Sequence, residues 1–261
     1  MGSLLQIAAR GADSAALART MEAALAAVER VDRLMSFHSD ESELTRLNRD
    51  ASRGAIAVDP WTYAVLRRAV QIAGLSDGVF DVTIGALLVE RGLLPQPKGC
   101  ASGAGNWRDI TLLPGCRVLF QRPVLVDLGG IAKGFAVDQA IHALRRGGCS
   151  DAIVNAGGDL RAFGTQPRPI HLRRRAGLVP VAELRSGAIA TSTPYIERSE
   201  QIGCIVDPRI RHAWHGNGSV MVAARSCAVA DALTKVAALA GPACKPLLAR
   251  FGAQAYWDVD P

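Results

Sequence analysis

The stretch Val126-Asp127-Leu128-Gly129-Gly130-Ile131-Ala132-Lys133-Gly134-Phe135-Ala136-Val137-Asp138 decides how this chain is read. An apolar strand stub runs into a Gly-Gly turn, and a helix opens directly behind it. Such a junction offers backbone N–H groups and the positive end of a helix to an anion, and glycine lets a ligand come close to the backbone. Lys133 falls in the first helical turn, where a cation opposes the dipole, so its position suggests contact with something negative. The same spacing also suits a tight strand-to-helix packing turn. Two adjacent glycines match neither the Walker pattern nor G-x-G-x-x-G, so spacing does not choose between the two readings.

Upstream of this junction, 2–9 reads as a strand closed by Gly11. Asp13 and Ser14 can cap a helix whose apolar positions are Leu17, Met21, Ala24, Leu25, Val28, Val31 and Met35, a rhythm that gives one buried stripe. A polar loop then leads to a short helix through Leu47 and Asn48, capped by Ser42 or Asp40. Asp59-Pro60 places an acid at the cap and proline at the first position of a helix that ends at Gly74. Pro95, Pro97, Gly99, Ser102, Gly103 and Gly105 mark 95–106 as a linker or mobile loop.

Strands are expected near 109–113, 116–120 and 123–127, followed by the glycine junction and a helix over about 133–146. A strand at 151–155 ends in a second glycine turn, Ala156-Gly157-Gly158-Asp159. Further strands fall near 160–163, 169–173, 187–192, 202–206 and 219–224. A helix covers about 227–240, Pro242 starts another, and 253–257 makes a last strand. Hairpin-like strand runs with flanking helices imply an α+β fold, with helices packed on a largely antiparallel sheet.

Composition narrows the function classes. The 261 residues are 49% apolar and 21% charged, which suits a soluble globular protein with a substantial core. No run of eighteen or more uncharged apolar residues occurs, so no transmembrane segment is expected. No secretory leader is visible at the N-terminus, which points to the cytoplasm, or to the periplasm if a leader was removed. The net charge of +6 includes a cluster at Arg173, Arg174 and Arg175, yet aromatics are only 5% and none interleaves it. That argues against nucleic acid, although the charge suits an anionic cofactor. Six cysteines, at 100, 116, 149, 204, 227 and 244, form no C-x-x-C and resemble neither a zinc ribbon nor a disulfide framework. His212 and His215 are three apart with no helix signal around them, and read as an exposed loop pair.

Five pieces, taken in order, resemble the ApbE family of FAD:protein FMN transferases. They are SFHSDESELTRLN at 36–48, DGVFDVTIG at 77–85, DLGGIAKGFAVD at 127–138, VNAGGD at 154–159 and ADALT at 230–234. Ala190-Thr191-Ser192 and Ile205-Val206-Asp207-Pro208 add weaker matches. The resemblance runs from Met1 to the last strand. It implies a single domain over 1–261 with a two-lobed α+β fold, the lobes being about 1–95 with 210–261, and 107–205. It further implies an enzyme that binds FAD and splits its pyrophosphate. The FMN half passes to a serine or threonine hydroxyl on an acceptor flavoprotein, AMP leaves, and Mg²⁺ assists by neutralising charge. A non-catalytic FAD-binding protein and an FAD pyrophosphatase are the alternatives within the same fold.

Carried over position by position, the resemblance gives the metal to the backbone carbonyl of Ala132 and the carboxylate of Asp231, with an added oxygen from Thr234. Phe80, Asp81 and Val82 match a segment that lines the FAD pocket. Gly129, Lys133 and Phe135 match or adjoin the turn that faces the ligand, while Met1 and Ile205 fall where apolar contacts belong. Asn155 and Asp159 are read as organising the second turn. Plainer readings exist: an acid near a helix start stabilises the helix, and Phe80 and Phe135 suit a core. Three positions depart from the family pattern. His38 stands where a tyrosine often packs on the flavin, Cys204 where a histidine often stands, and Lys235 where a threonine follows the metal-site aspartate. Lys235 would repel a divalent ion beside Asp231, or contact the pyrophosphate in its place, or leave Thr234 to supply the missing oxygen. Asp231 and Lys235 are therefore the candidates for catalysis.

Overall fold

In the computed structural model, the described residues are 4–11, 13–101, 103–174, 177–193, 195–196, 199–202, 205–214 and 218–258. The helix starts follow from short polar side chains. Asp13 accepts from the N–H groups of Ala15 and Ala16 and opens α1 (Ser14–Met35). Ser42 accepts from the N–H of Thr45 and opens α2 (Glu43–Asp50), and Asp59 ahead of Pro60 opens α3 (Pro60–Leu75). The remaining α-helices among the described residues are α4 (Gly85–Glu90), α5 (Ala132–Arg146), α6 (Cys227–Ala240) and α7 (Lys245–Arg250).

Strands run as β1 (Leu5–Arg10), β2 (Ile56–Ala57), β3 (Ile110–Leu113), β4 (Arg117–Phe120), β5 (Asp151–Ala156), β6 (Asp159–Phe163), β7 (Arg168–Arg174) and β8 (Gly177–Leu184). They continue as β9 (Gly187–Ser192), β10 (Tyr195–Ile196), β11 (Ser199–Ile202), β12 (Val206–Asp207), β13 (His212–Ala213), β14 (Ser219–Ala224) and β15 (Gln254–Asp258). The principal sheet has the order β1-β5-β6-β9-β14-β15, and every neighbouring pair in it is antiparallel. Its strands come from both of the lobes that the sequence suggests.

Three layers result. One face of the sheet carries α5 and α6, with α1 packed outside α5 through Ala24, Ala140, Ile141 and Leu144. The other face carries the β7–β8 hairpin, whose Ile170 packs against Leu160, Ile189 and Met221. Burial on both faces explains why β9 and β14 read as nearly continuous apolar runs. The main core joins α2, α3 and α6 through Leu44, Leu47, Leu66, Ile72 and Leu233.

Two sequence expectations change here. Residues 123–127 form no strand, although Val124, Leu125 and Val126 are fully buried. Their backbone groups are met outside any ladder. The Asn48 amide donates to the Val126 carbonyl at 2.9 Å and accepts from its N–H at 2.8 Å, while Asp127 N–H donates to the Val82 carbonyl and Gly85 N–H to that of Leu125. Conversely, β8 is a strand despite Pro180. The register shifts between Ile170 and His171, and Pro180 sits opposite His171 at this bulge, where a missing N–H is tolerated.

The run Cys227–Arg250 is apolar and long enough, by composition alone, to cross a membrane, with a mean hydropathy of 1.3. In the fold it is broken at Gly241 (φ 56°) into α6 and α7, and 67% of its most apolar window is buried.

Candidate functional site

Close packing of α5 on α6 builds the site. A Cβ at Gly134 would lie 2.3 Å from the Cys227 carbonyl oxygen, so only glycine lets the two helices meet backbone to backbone. Asp138, one turn further along α5, secures the start of α6. It accepts from the Ser226 hydroxyl at 2.7 Å and from the N–H groups of Cys227 and Ala228 at 2.9 and 3.0 Å. Arg161 on β6 donates to the same carboxylate at 2.6 Å. An anion at a helix N-terminus is electrostatically well placed.

This crossing seats Asp231, one turn into α6, against the start of α5. Asp231 is 0% exposed, and its Oδ2 accepts from the Gly134 N–H at 3.2 Å. Its other oxygen, Oδ1, is ion-paired with the ammonium of Lys235, four residues on. Burial works to raise the Asp231 pKa. The charges of Lys235 and Lys133 outweigh it and hold the carboxyl below its ordinary range.

The two glycine turns singled out in the sequence meet here. Gly157 (φ 61°) and Gly158 (φ 97°) close the β5–β6 hairpin as a two-residue turn with both central residues in the left-handed region. Asn155 accepts from the Gly158 N–H at 3.0 Å and fixes that turn, as expected of a short amide side chain. Asp159, 1% exposed, accepts from the Lys133 ammonium at 2.7 Å, which ties the second turn to the first turn of α5. Burial opposes charge on Lys133, but the fields of Asp231 and Asp159 hold it protonated well above the usual lysine range. Burial, and then the charge of Asp231, push the Asp159 carboxyl up to about 6 against the pull of Lys133.

At the first bend, a Cβ on Gly130 would lie 3.4 Å from Phe80 Cε2 and 3.5 Å from Lys235 Cε. The bend therefore rests between an aromatic ring and the stem of Lys235. Asp127 is half-buried beside it and accepts from the Gly129 N–H. Desolvation raises its pKa, opposed by the nearby charges of His38 and Lys235. Asp127 lies inside the quoted motif, yet the sequence did not single it out. Its signal was a carboxylate two residues before a Gly-Gly pair.

The structure thus brings Gly129, Lys133, Asp231 and Lys235 together at the two glycine bends, with the exposed His38 near Asp127, while Phe80 (5% exposed) backs Gly130 from the main core. Other expected residues go elsewhere. Asp81 accepts from Thr83 N–H and Oγ1 at 2.9 and 2.8 Å and from Trp107 N–H at 3.0 Å, so its carboxylate is engaged within the fold and positions Phe80. Val82 (1% exposed) and Ile205 (6%) are core residues. Phe135 stands about 200° around α5 from Lys133, at roughly 100° per residue. It meets Trp61 edge-on at 5.9 Å and lines a separate groove of about 640 Å³ with Arg67, Arg68, Ile131 and Asp138. That groove contains neither the Lys133–Asp159 pair nor the Lys235–Asp231 pair. Met1, Cys204 and His215 lie outside the described residues.

The expected magnesium set of Ala132, Asp231 and Thr234 can be tested on these contacts. Thr234 is fully buried. Its hydroxyl donates to the Asp231 backbone carbonyl at 2.7 Å and lies 2.7 Å from the Ser192 hydroxyl. Ala132 is the first residue of α5 and is 7% exposed. Asp231 already holds an ammonium and an N–H. Two unit charges 4 Å apart repel by about 4 kcal/mol at an effective dielectric of 20, and a divalent ion beside Lys235 doubles that to about 8 kcal/mol. Among the described residues no three His, Cys, Asp or Glu side chains form a ligand set. The residues present do not fit a divalent cation.

Two glycine bends tied together through Lys133, beside a buried acid whose partner Lys235 lies midway along α6, define an α+β protein with a site suited to a diphosphate-type anion. A family model described as the ApbE family matches residues 1–257, and the chain belongs to that family. It is similar to the FAD:protein FMN transferase of Vibrio cholerae, at 30% identity over 229 residues, covering 79% of this chain and 69% of that protein. The FAD:protein FMN transferase of Rhodobacter capsulatus is 31% identical, with 95% of this chain matched, and the chain spans about half (51%) of that relative's length. The solved flavin transferase ApbE from Vibrio cholerae shares the fold at a TM-score of 0.83 and 27% identity, covering 100% of this chain and 91% of its own.

Proposed function

We propose that this chain is an FAD:protein FMN transferase, moving the FMN half of FAD onto a serine or threonine hydroxyl of an acceptor flavoprotein. The observation that carries the reading is the Lys133–Asp159 contact. It joins the two glycine bends into one seat, with Asp231 and Lys235 beside it. The named relatives support a flavin nucleotide as substrate, and the joined bends support a seat for its two phosphates.

In the transfer, the acceptor hydroxyl oxygen bonds to the FMN-side phosphorus while the bond from that phosphorus to the bridging oxygen breaks. AMP leaves with the bridging oxygen and its electron pair. Lysines held at fixed positions meet the charge that grows on the leaving phosphate without reorganising, which is the form of help that electrostatic catalysis rewards. The half-buried Asp127 carboxylate, with its raised pKa, is the proton acceptor nearest the first bend.

Incubation of the full chain with FAD and a panel of Ser/Thr-bearing candidate acceptors tests this, following AMP and flavin fluorescence in a denaturing gel. Equal yields of AMP and gel-stable flavin are expected. AMP with no fluorescent band would replace transfer by hydrolysis, and neither product would leave a binding protein.

A further inference from the structure

We infer that Lys235 is a tethered substitute for a divalent cation: its ammonium holds the cation position on Asp231 and presents that charge to the ligand's diphosphate. The ligand's identity rests on the proposed function. The occupancy of the position by Lys235 does not.

Four observations carry the inference. Asp231 is 0% exposed and buried among α5, α6 and the sheet, while the Lys235 side chain is 21% exposed, so the pair reaches solvent only through the lysine. An isolated buried ion pair is a weak stabilising device, so stability alone gives little reason for one here. The lysine stem runs past Gly130, where a side chain would press on both Phe80 and Lys235. The stem thus lies against the first bend, where ligand contact is expected, while the ammonium sits on Asp231. Thr234, one position before Lys235, has its hydroxyl committed to Ser192 and to its own helix, so it does not offer an oxygen beside the Asp231 carboxylate. Finally, Lys133 repeats the device on Asp159 at 2.7 Å. The two bends therefore carry two lysine charges beside them, each anchored on a buried acid.

The first arm of the test uses Mn²⁺ alone, without nucleotide, followed by the loss of its free paramagnetic resonance signal. The wild-type chain is expected to show no Mn²⁺ site dependent on Asp231. Lys235→Thr is expected to gain one, at least about tenfold tighter than any wild-type binding, and adding Asp231→Asn should abolish the gain. Wild-type Mn²⁺ binding that Asp231→Asn removes would overturn the inference, as would a folded Lys235→Thr chain that gains nothing. If Lys235→Thr fails to fold, the wild-type comparison with Asp231→Asn still decides. The second arm is FAD titration in excess EDTA against excess Mg²⁺. Affinities equal within about twofold support a lysine-based site, and a loss of about tenfold or more in EDTA contradicts it. Failure to bind FAD under either condition would instead sink the proposed function, and the Mn²⁺ arm would stand on its own.

Discussion

Gly134→Ala is the sharpest single perturbation of the site's scaffold. A Cβ at this position lies 2.3 Å from the Cys227 carbonyl oxygen, 2.5 Å from its carbon and 2.8 Å from Ala228 Cα. All three are backbone atoms, so no rotamer change relieves the clash, and α5 must move away from α6 by on the order of 1 Å to restore ordinary contact. Overpacking of this type costs about 1–3 kcal/mol. The displacement also pulls the Gly134 N–H from Asp231, a hydrogen bond to a charged group worth about 1.5–3 kcal/mol. Alanine's better helix propensity returns about 1 kcal/mol. The net expectation is a loss of about 1.5–5 kcal/mol, a large share of a typical domain's stability. Urea denaturation followed by circular dichroism reads it as a lowered midpoint at unchanged slope. Gly54→Ala, where an added Cβ meets nothing within 4 Å, is the control and should stay within about 0.5 kcal/mol. A Gly134→Ala chain as stable as wild type, or more so, would refute the backbone-contact geometry on which the placement of Asp231 depends.

Other substitutions probe the charges. The Asp159 carboxyl sits at about 6, pushed there by burial and by Asp231, while an unfolded aspartate titrates near 3.9. The folded chain therefore binds more protons between these values, and this group's contribution raises stability as pH falls from 7 to 4, by about 2 kcal/mol. Asp159→Asn should remove that component from a pH series of melting curves, and an unchanged profile would contradict it. Asp138→Ala strips the start of α6 of three hydrogen bonds and leaves Arg161 without its carboxylate partner, so a loss of about 3–5 kcal/mol is expected in chemical denaturation. Wild-type stability in that variant would show that the cap is not structural. Lys133→Met, which also costs stability by unpairing the buried Asp159, should weaken FAD binding of the folded variant by about tenfold or more in equilibrium dialysis, and undiminished affinity would remove Lys133 from the seat.

What could be read in the sequence was mostly local. The α1 stripe from Leu17 to Met35, the caps at Asp13, Ser42 and Asp59, and the Gly157-Gly158 turn all depend on neighbours a few residues away, and each forms as its pattern implies. The same holds for Lys235, since a lysine four residues after an aspartate on a helix must meet it. Errors arose where distant residues decide. Residues 123–127 look like a strand because they are apolar, but their partners are the Asn48 side chain and the Val82 loop. Asp81 resembles a pocket residue until Trp107 takes its second oxygen. Phe135 was separable from Lys133 by helical angle alone. Thr234 was not separable from the metal set, because Ser192, its partner, is 42 positions away.

The central claim is that two lysine-bearing bends hold the paired phosphates of a flavin dinucleotide. Parallel fluorescence titrations of the full chain with FAD and with riboflavin, which shares the ring but has no phosphate, test it most directly. FAD is expected to bind at least about a hundredfold more tightly. Equal affinity for the two, or no binding of FAD at all, would contradict the account.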